Sequence, residues 1–264
     1  MSARAWNPGV LGEELIAVHD QARLVRPFSE RYPGLTPEAG YGAARALHAH
    51  RLANGWQPAG RKIGFTNRTL WQRYGVYEPM WGMVYDRTLI HAKDDRASLS
   101  LQGLVQPRIE PEICFKLKSS PQAEDLLACI EWMAHAVEIV QCHHPDWKVT
   151  IADCCADNGL HGRLIVGTPI PMQDPSKLPL VEARLFKGGR LVDRGVGANV
   201  LGSPLASLGY LVELLERQPE APPLAAGEII TTGVLTDAHP VSAGERWHTE
   251  LAGLPLNGLR ISFE

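Results

Sequence analysis

The 264-residue chain is short of most features that would take a protein out of the ordinary aqueous globular class. It has no apolar run of the length that a bilayer-spanning helix needs. Its first residues, MSARAWNPGV, lack the basic-then-apolar layout of a secretory signal, so a cytoplasmic protein without a membrane partner is expected. Neither sign of charge dominates: 26 Lys and Arg against 29 Asp and Glu give a net charge of −3. That leaves no electrostatic footprint for nucleic acid or an anionic membrane. The five cysteines (Cys114, Cys129, Cys142, Cys154, Cys155) are odd in number and form no CxxC pair, which suits reduced thiols better than a disulfide framework. Neither HExxH nor GxSxG occurs, and the histidines are poorly spaced for zinc or a triad. His48 and His50 lie two apart on an expected helix, while His143 and His144 adjoin Pro145 in an expected loop. There is no internal repeat and no low-complexity segment.

What is present reads as a helical beginning followed by a β-rich remainder. Asn7-Pro8 has the form of an N-cap with proline in the first turn, and Leu11, Leu15, Val18, Ala22 and Val25 then step by four and three to make one apolar face. Pro27 closes that segment, Thr36-Pro37-Glu38 opens a second helix, and Gly55 marks its end. From about Gly60 the texture changes to short β-type runs, interrupted by two expected helices. One is capped by Ser120-Pro121 and contains Leu126, Leu127, Ile130 and Met133; the other is capped by Ser203-Pro204. Many short strands with few helices predict a mixed or antiparallel β core, an α+β rather than a doubly wound fold.

The chemistry concentrates in RIEPEICFKL. Glu110 and Glu112 lie two apart, so in an extended chain both side chains point to one face, and Glu138 stands in a second apolar run, AVEIV. Three gathered carboxylates repel one another and resist desolvation unless a cation neutralises them, and an all-oxygen set favours Mg²⁺, Mn²⁺ or Ca²⁺ over zinc. The alternative is a solvated edge strand, with Glu138 paired to an arginine. Pro111, between the two glutamates, has no N–H for a ladder, so that position must be an edge, a strand start or a bulge.

Other segments carry weaker signals. Lys62, in GRKIGFT, can hold an acidic substrate or act as an acid/base, or it can be a solvent-facing residue at a strand start. Asp157-Asn158-Gly159 is a turn signature that can line a pocket, and Thr231 to Thr236 is a glycine-bearing loop able to offer N–H groups and a hydroxyl to a carboxylate.

In order, GRKIGFT, RIEPEICFKL, AVEIV, ADNG, GANVLGSP and AAGEIITTGVLT…PVSAGE resemble the fumarylacetoacetate hydrolase superfamily, in particular its 2-keto-4-pentenoate hydratase and 4-oxalocrotonate decarboxylase branch. The resemblance spans about residues 36 to 264. It implies a curved mixed β-sheet core over residues 60–264 with an N-terminal helical portion over 1–59, and Mg²⁺ or Mn²⁺ held by Glu110, Glu112 and Glu138. It also implies Lys62 as the catalytic residue beside a 2-oxo acid, with Thr66, Asn158 and Thr236 binding substrate. A homo-oligomer is expected, or a pairing with a related hydratase or decarboxylase subunit. The expected reaction is hydration of a 2-hydroxy-2,4-dienoate or 2-oxo-4-enoate; the alternatives are decarboxylation of a 2-oxo-3-enedioate and a non-catalytic partner subunit. Two departures bear on that choice. Hydratases of this group carry an acid in an E-P-D-Y/F-G stretch where this chain reads Glu78-Pro79-Met80-Trp81-Gly82, and Leu160 and His161 replace the serines that often follow the ADN segment. Glu78, Asp86 or His161 is then expected to stand in for the missing acid if water is added.

Overall fold

The computed structural model describes residues 7–122 and 124–264. Three helices come first: α1 (Pro8–Gln21), α2 (Phe28–Arg31) and α3 (Pro37–Ala53). Both expected N-caps form. The Asn7 side chain accepts from Gly9 N–H and that of Thr36 from Ala39 N–H, each with proline in the first turn. The apolar stripe Leu11, Leu15 and Val18 of α1 is wholly buried in one cluster with Ala43 and Leu47 of α3.

Among the described residues, the remainder holds thirteen strands and three further α-helices. In chain order these are β1 (Pro58–Gly64), α4 (Trp71–Tyr74), β2 (Met80–Tyr85), β3 (Leu89–His91), β4 (Arg96–Leu99), β5 (Arg108–Leu117) and β6 (Ile130–Val140). Then come α5 (Ile151–Ala156), β7 (His161–Val166), β8 (Glu182–Lys187), β9 (Arg190–Val196), α6 (Pro204–Glu216), β10 (Ile229–Thr231), β11 (His239–Pro240), β12 (Arg246–Ala252) and β13 (Arg260–Phe263). They build two mixed sheets. The larger, curled one runs β2-β1-β10-β5-β6-β7-β3, with β11 also paired to β5; the smaller runs β4-β13-β12-β8-β9. This is the expected curved β core.

Alternation along β5 and β6 sorts the side chains of the larger sheet. Ile109, Val137 and Ile139 point to one face and join Leu185, Trp247, Ile261 and Phe263 in the core shared with the smaller sheet. Glu110, Glu112 and Glu138 point to the other, where Cys114, Ala134, Ala136 and Leu164 form an apolar floor. The N-terminal helices dock on the segment leading to β7: a Cβ on Gly40 of α3 would lie 2.4 Å from Ala152 O of α5, so only glycine permits that approach. Ser29 N–H and Oγ–H both donate to Asp153 of α5.

One expected helix is replaced. Residues 127–129 form a single 3₁₀ turn, and Ile130 and Met133 belong to strand β6, because Ala134 to Trp132 pair with Cys114 to Lys116 of β5. Here long-range pairing overrides a short helical pattern. The Ser203-Pro204 cap does open α6, as expected. Pro111 lies within the interior strand β5, yet at a local edge. Its carbonyl accepts from Leu235 N–H, so its missing N–H faces the loop that interrupts the neighbouring ladder between β10 and β11. All five cysteines are buried and unpaired. Among the described residues no helix is long and apolar enough to cross a membrane.

Candidate metal and substrate site

Glu110 stands directly opposite Glu138 in the β5–β6 register, and Glu112 follows two residues along β5. The three therefore converge, each offering an oxygen within 4.8 Å of the others. Glu112 Oε2 accepts from Gly233 N–H at 2.8 Å, leaving Oε1 buried without a hydrogen-bond partner. Gly233 has φ +99, and a Cβ there would lie 1.7 Å from Thr66 Oγ1, so this donor requires glycine. Glu138 Oε1 is bound to His161 Nδ1 at 2.8 Å, while Oε2 makes no hydrogen bond and faces Lys62 Nζ at 3.3 Å.

Burial pushes the Glu110 and Glu112 carboxyls up to about 8, and the mutual repulsion of the three acids adds to the effect; the nearby Lys62 ammonium only partly counters it. Glu138 is raised for the same first reason. Burial alone would lower Lys62, but Glu138, Glu110 and Glu112 outweigh it and raise the ammonium above its ordinary value. His161, buried beside the cations Lys62, Arg51 and Arg163, is held well below 6.5. One lysine therefore does not neutralise the three acids. Two buried carboxylate oxygens without hydrogen bonds, in an all-oxygen donor set, are what a hard divalent cation requires.

Lys62 and Glu110 open on a cavity whose walls also include Phe65, Asn67, Met80, Arg108 and Asp237. Its apolar side is made by Val140, Trp147, Val149, Leu160 and Val234. Met80 packs over Gly64, at which a Cβ would meet Met80 Cε at 2.6 Å and Lys62 Nζ at 3.0 Å, so the thioether and the ammonium share the space that glycine leaves.

The structure brings together four of the residues singled out from the sequence, Lys62, Glu110, Glu112 and Glu138. The other three are placed differently. Thr66 donates its hydroxyl to Thr232 O and packs against Gly233, so it braces the Glu112 donor. Thr236 donates to Asp237 O. Asn158 is turned away: its amide accepts from Met83 N–H and donates to Met83 O, clamping β2, and it lines a second cavity with Tyr41, His48 and Trp81. Glu78 and Asp86, expected as substitutes for an acid at position 80, are both exposed, and Asp86 accepts from Gln57 N–H. His161 is buried behind Glu138. The cavity instead contains Asp237, which sequence reasoning did not single out because a lone Asp in TDAHP has no local signature. Arg108, two residues before Glu110 on the same face, was also passed over; its guanidinium lies 4.2 Å from the Trp147 ring centre.

No family model matches the sequence. The chain is 32% identical over 250 residues to a 2-hydroxyhexa-2,4-dienoate hydratase of Comamonas testosteroni, covering 92% of this chain and 93% of the relative. It is 33% identical over 215 residues to a 4-oxalocrotonate decarboxylase of Pseudomonas sp., covering 80% and 81%. Among solved structures it is similar to 4-oxalocrotonate decarboxylase from Pseudomonas putida G7 complexed with magnesium and adipate, with a TM-score of 0.89 at 25% identity, over 99% of this chain and 100% of that one.

Proposed function

The chain belongs to the 2-keto-4-pentenoate hydratase and 4-oxalocrotonate decarboxylase branch of the fumarylacetoacetate hydrolase superfamily, and from that premise we propose that it is a divalent-metal-dependent hydratase of 2-hydroxy-2,4-dienoates or 2-oxo-4-enoates. The observation that carries this reading is the convergence of Glu110, Glu112 and Glu138 beside Lys62, with Glu110 and Lys62 in the wall of a cavity. The three carboxylates would hold Mg²⁺ or Mn²⁺. When bound, the cation would supply Lewis-acid activation and a template for the carboxylate and neighbouring oxygen of a 2-oxo acid.

The chain's own residues account for the rest. Lys62, kept charged by the acids around it, offers a proton and a positive charge to the oxygen on which negative charge develops. Phe65, Met80, Val149 and Leu160 give the substrate tail a water-poor wall. Adding water to a conjugated double bond requires a group that orients it. Met80 is unable to accept a proton at neutral pH, and Asp237 is the carboxylate of the cavity wall outside the proposed ligand set. Asp237 takes that role in this proposal, whereas Glu78, Asp86 and His161 do not. The division at residue 59, a cytoplasmic location and assembly into a homo-oligomer, alone or with a related subunit, belong to the same proposal.

Decarboxylation of a 2-oxo-3-enedioate is the second reading. It is favoured by the apolar Met80 in the wall and by Arg108, a cation suited to a second carboxylate. The test is to incubate the purified chain, with and without Mg²⁺, with a 2-hydroxydienoate and an enedioate, scoring water addition and CO₂ release by mass spectrometry. Metal-dependent hydration is expected. CO₂ release without hydration would replace it by the second reading, and no turnover of either substrate by the metal-loaded chain would favour a non-catalytic partner subunit.

A further inference from the structure

Glu138 is gripped from behind, on the side away from the cavity, by a histidine that reaches it only because of a backbone irregularity. In the β6–β7 register Glu138 opposes Leu164, Ile139 opposes Arg163, and Val140 opposes His161, so Gly162 is an extra residue without a partner. Without that bulge, residue 161 would fall on the opposite face from Glu138; with it, His161 shares the face of Val140 and Glu138. The bulge requires glycine, since a Cβ at Gly162 would lie 2.5 Å from Ile139 O.

Both imidazole nitrogens are engaged. Nδ1 lies 2.8 Å from Glu138 Oε1 and Nε2 2.9 Å from Thr88 Oγ1. Thr88 is itself fixed in the turn between β2 and β3: its Oγ1 accepts from Tyr85 N–H and its carbonyl accepts from Leu164 N–H. An ionised carboxylate can only accept, so Nδ1 carries the proton toward Glu138, and Nε2 of the neutral ring then accepts the Thr88 hydroxyl proton, for which Tyr85 O at 3.0 Å is the competing acceptor. This relay occupies Oε1 and turns Oε2 toward Lys62 and the other two acids.

We propose that His161, held by Thr88, is a positioning residue that makes Glu138 a one-oxygen ligand and sets the metal affinity of the site. The inference rests on the metal reading above. It differs from the role expected of His161 in the sequence, a base for water, because a ring with both nitrogens committed and its side chain 1% exposed does not reach the cavity. Outer partners that orient metal ligands typically affect affinity by about 10- to 100-fold when removed.

The experiment is Mn²⁺ titration by calorimetry and electron paramagnetic resonance on wild type, His161→Leu, His161→Asn, Thr88→Val and Glu112→Gln, with thermal unfolding of the metal-free forms alongside. His161→Leu is expected to weaken Mn²⁺ binding about 10- to 100-fold. His161→Asn, whose amide N–H can take the place of Nδ1–H, should recover most of the loss, and Thr88→Val should fall between. A merely structural histidine would lower the unfolding temperature in both His161 variants without separating their affinities. If His161→Leu binds Mn²⁺ like wild type while Glu112→Gln does not, this inference is wrong and the metal reading stands; if Glu112→Gln also binds like wild type, the metal reading itself fails. Should His161→Leu not fold, ¹⁵N spectra of Mg²⁺-loaded wild type decide the matter. An Nδ1-protonated His161 supports the relay, and an Nε2-protonated ring overturns it.

Discussion

At the scale of single residues, charge balance around Lys62 decides what each substitution should do. The ammonium is one of two kinds of cation able to offset three buried acids, the other being the proposed metal. Lys62→Met should therefore depress kcat on the order of 10²-fold or more, as for a group acting chiefly in the transition state, while Mg²⁺ affinity stays the same or rises. Near-normal kcat in a steady-state assay would remove Lys62 from the reaction. The pair Asp237→Asn and Met80→Asp separates the two chemistries. If Asp237 orients the water, Asp237→Asn should lower hydration by about 10²-fold while leaving any CO₂ release intact. Met80→Asp should raise hydration, measured on the same dienoate. A hydration rate indifferent to both changes would locate the water-orienting group elsewhere.

At the scale of elements, two connections hold the site. The turn after β10 supplies Gly233 N–H to Glu112, and its left-handed conformation against Thr66 leaves no room for a side chain. Gly233→Ala is accordingly expected to destabilise the fold by about 1–3 kcal/mol through backbone strain, visible in denaturant unfolding, and to weaken metal binding as well. The second connection ties α1 to the segment preceding β7. His19 Nε2 lies 2.9 Å from Asp157 Oδ1, and His143 Nδ1 binds the same carboxylate at 2.8 Å. Burial lowers His19 from 6.5 to about 4, only partly offset by Asp157. The unfolded chain therefore binds a proton at His19 before the folded one does, so stability is full above pH 6.5 and falls as pH drops toward 4. The loss is on the order of 3 kcal/mol if this group acts alone. Burial by itself would raise Asp157, but His143 and His19 hold it well below the ordinary carboxylate range, so its contribution is lost only further down, below about pH 4. Thermal unfolding between pH 7 and 4 should show the first slope in wild type and a flatter one in His19→Gln. Equal slopes would refute the assignment.

At the scale of the whole molecule, metal binding and folding should be coupled. The site unites β1, β5, β6 and the turn after β10, and no unfolded chain gathers these groups. A divalent ion at 100 times its Kd should add about 2.7 kcal/mol to stability, a rise on the order of 5 °C in Tm for a chain of this size. Chelation should reverse it, and Glu112→Gln should abolish the response. A Tm unmoved by Mg²⁺ or Mn²⁺ at saturating levels would contradict the proposed site.

What the sequence determined by itself was local. The spacing of Glu110 and Glu112 set them on one face because strand side chains alternate, and the proline-led caps at Asn7, Thr36 and Ser203 opened three helices because their side chains satisfy the first free N–H groups. The ordered motifs pointed to the family that the relatives bear out. Residues 127–133 misled, since a short apolar pattern suits either helix or strand until a partner strand is present. Only tertiary structure could decide the rest. β1 and β6 are separated by two strands, roughly 14 Å in a flat sheet at about 4.8 Å per strand, yet Lys62 Nζ stands 3.3 Å from Glu138 Oε2 because the sheet curls and the lysine is long. The same long-range geometry turned Asn158 onto β2, brought Asp237 into the cavity, and left Pro111 facing a gap in the neighbouring ladder. One unpaired glycine in β7 moved His161 from one face of the sheet to the other, behind Glu138. A one-residue change of register reverses every side chain beyond it, and nothing in the local sequence records where that slip falls.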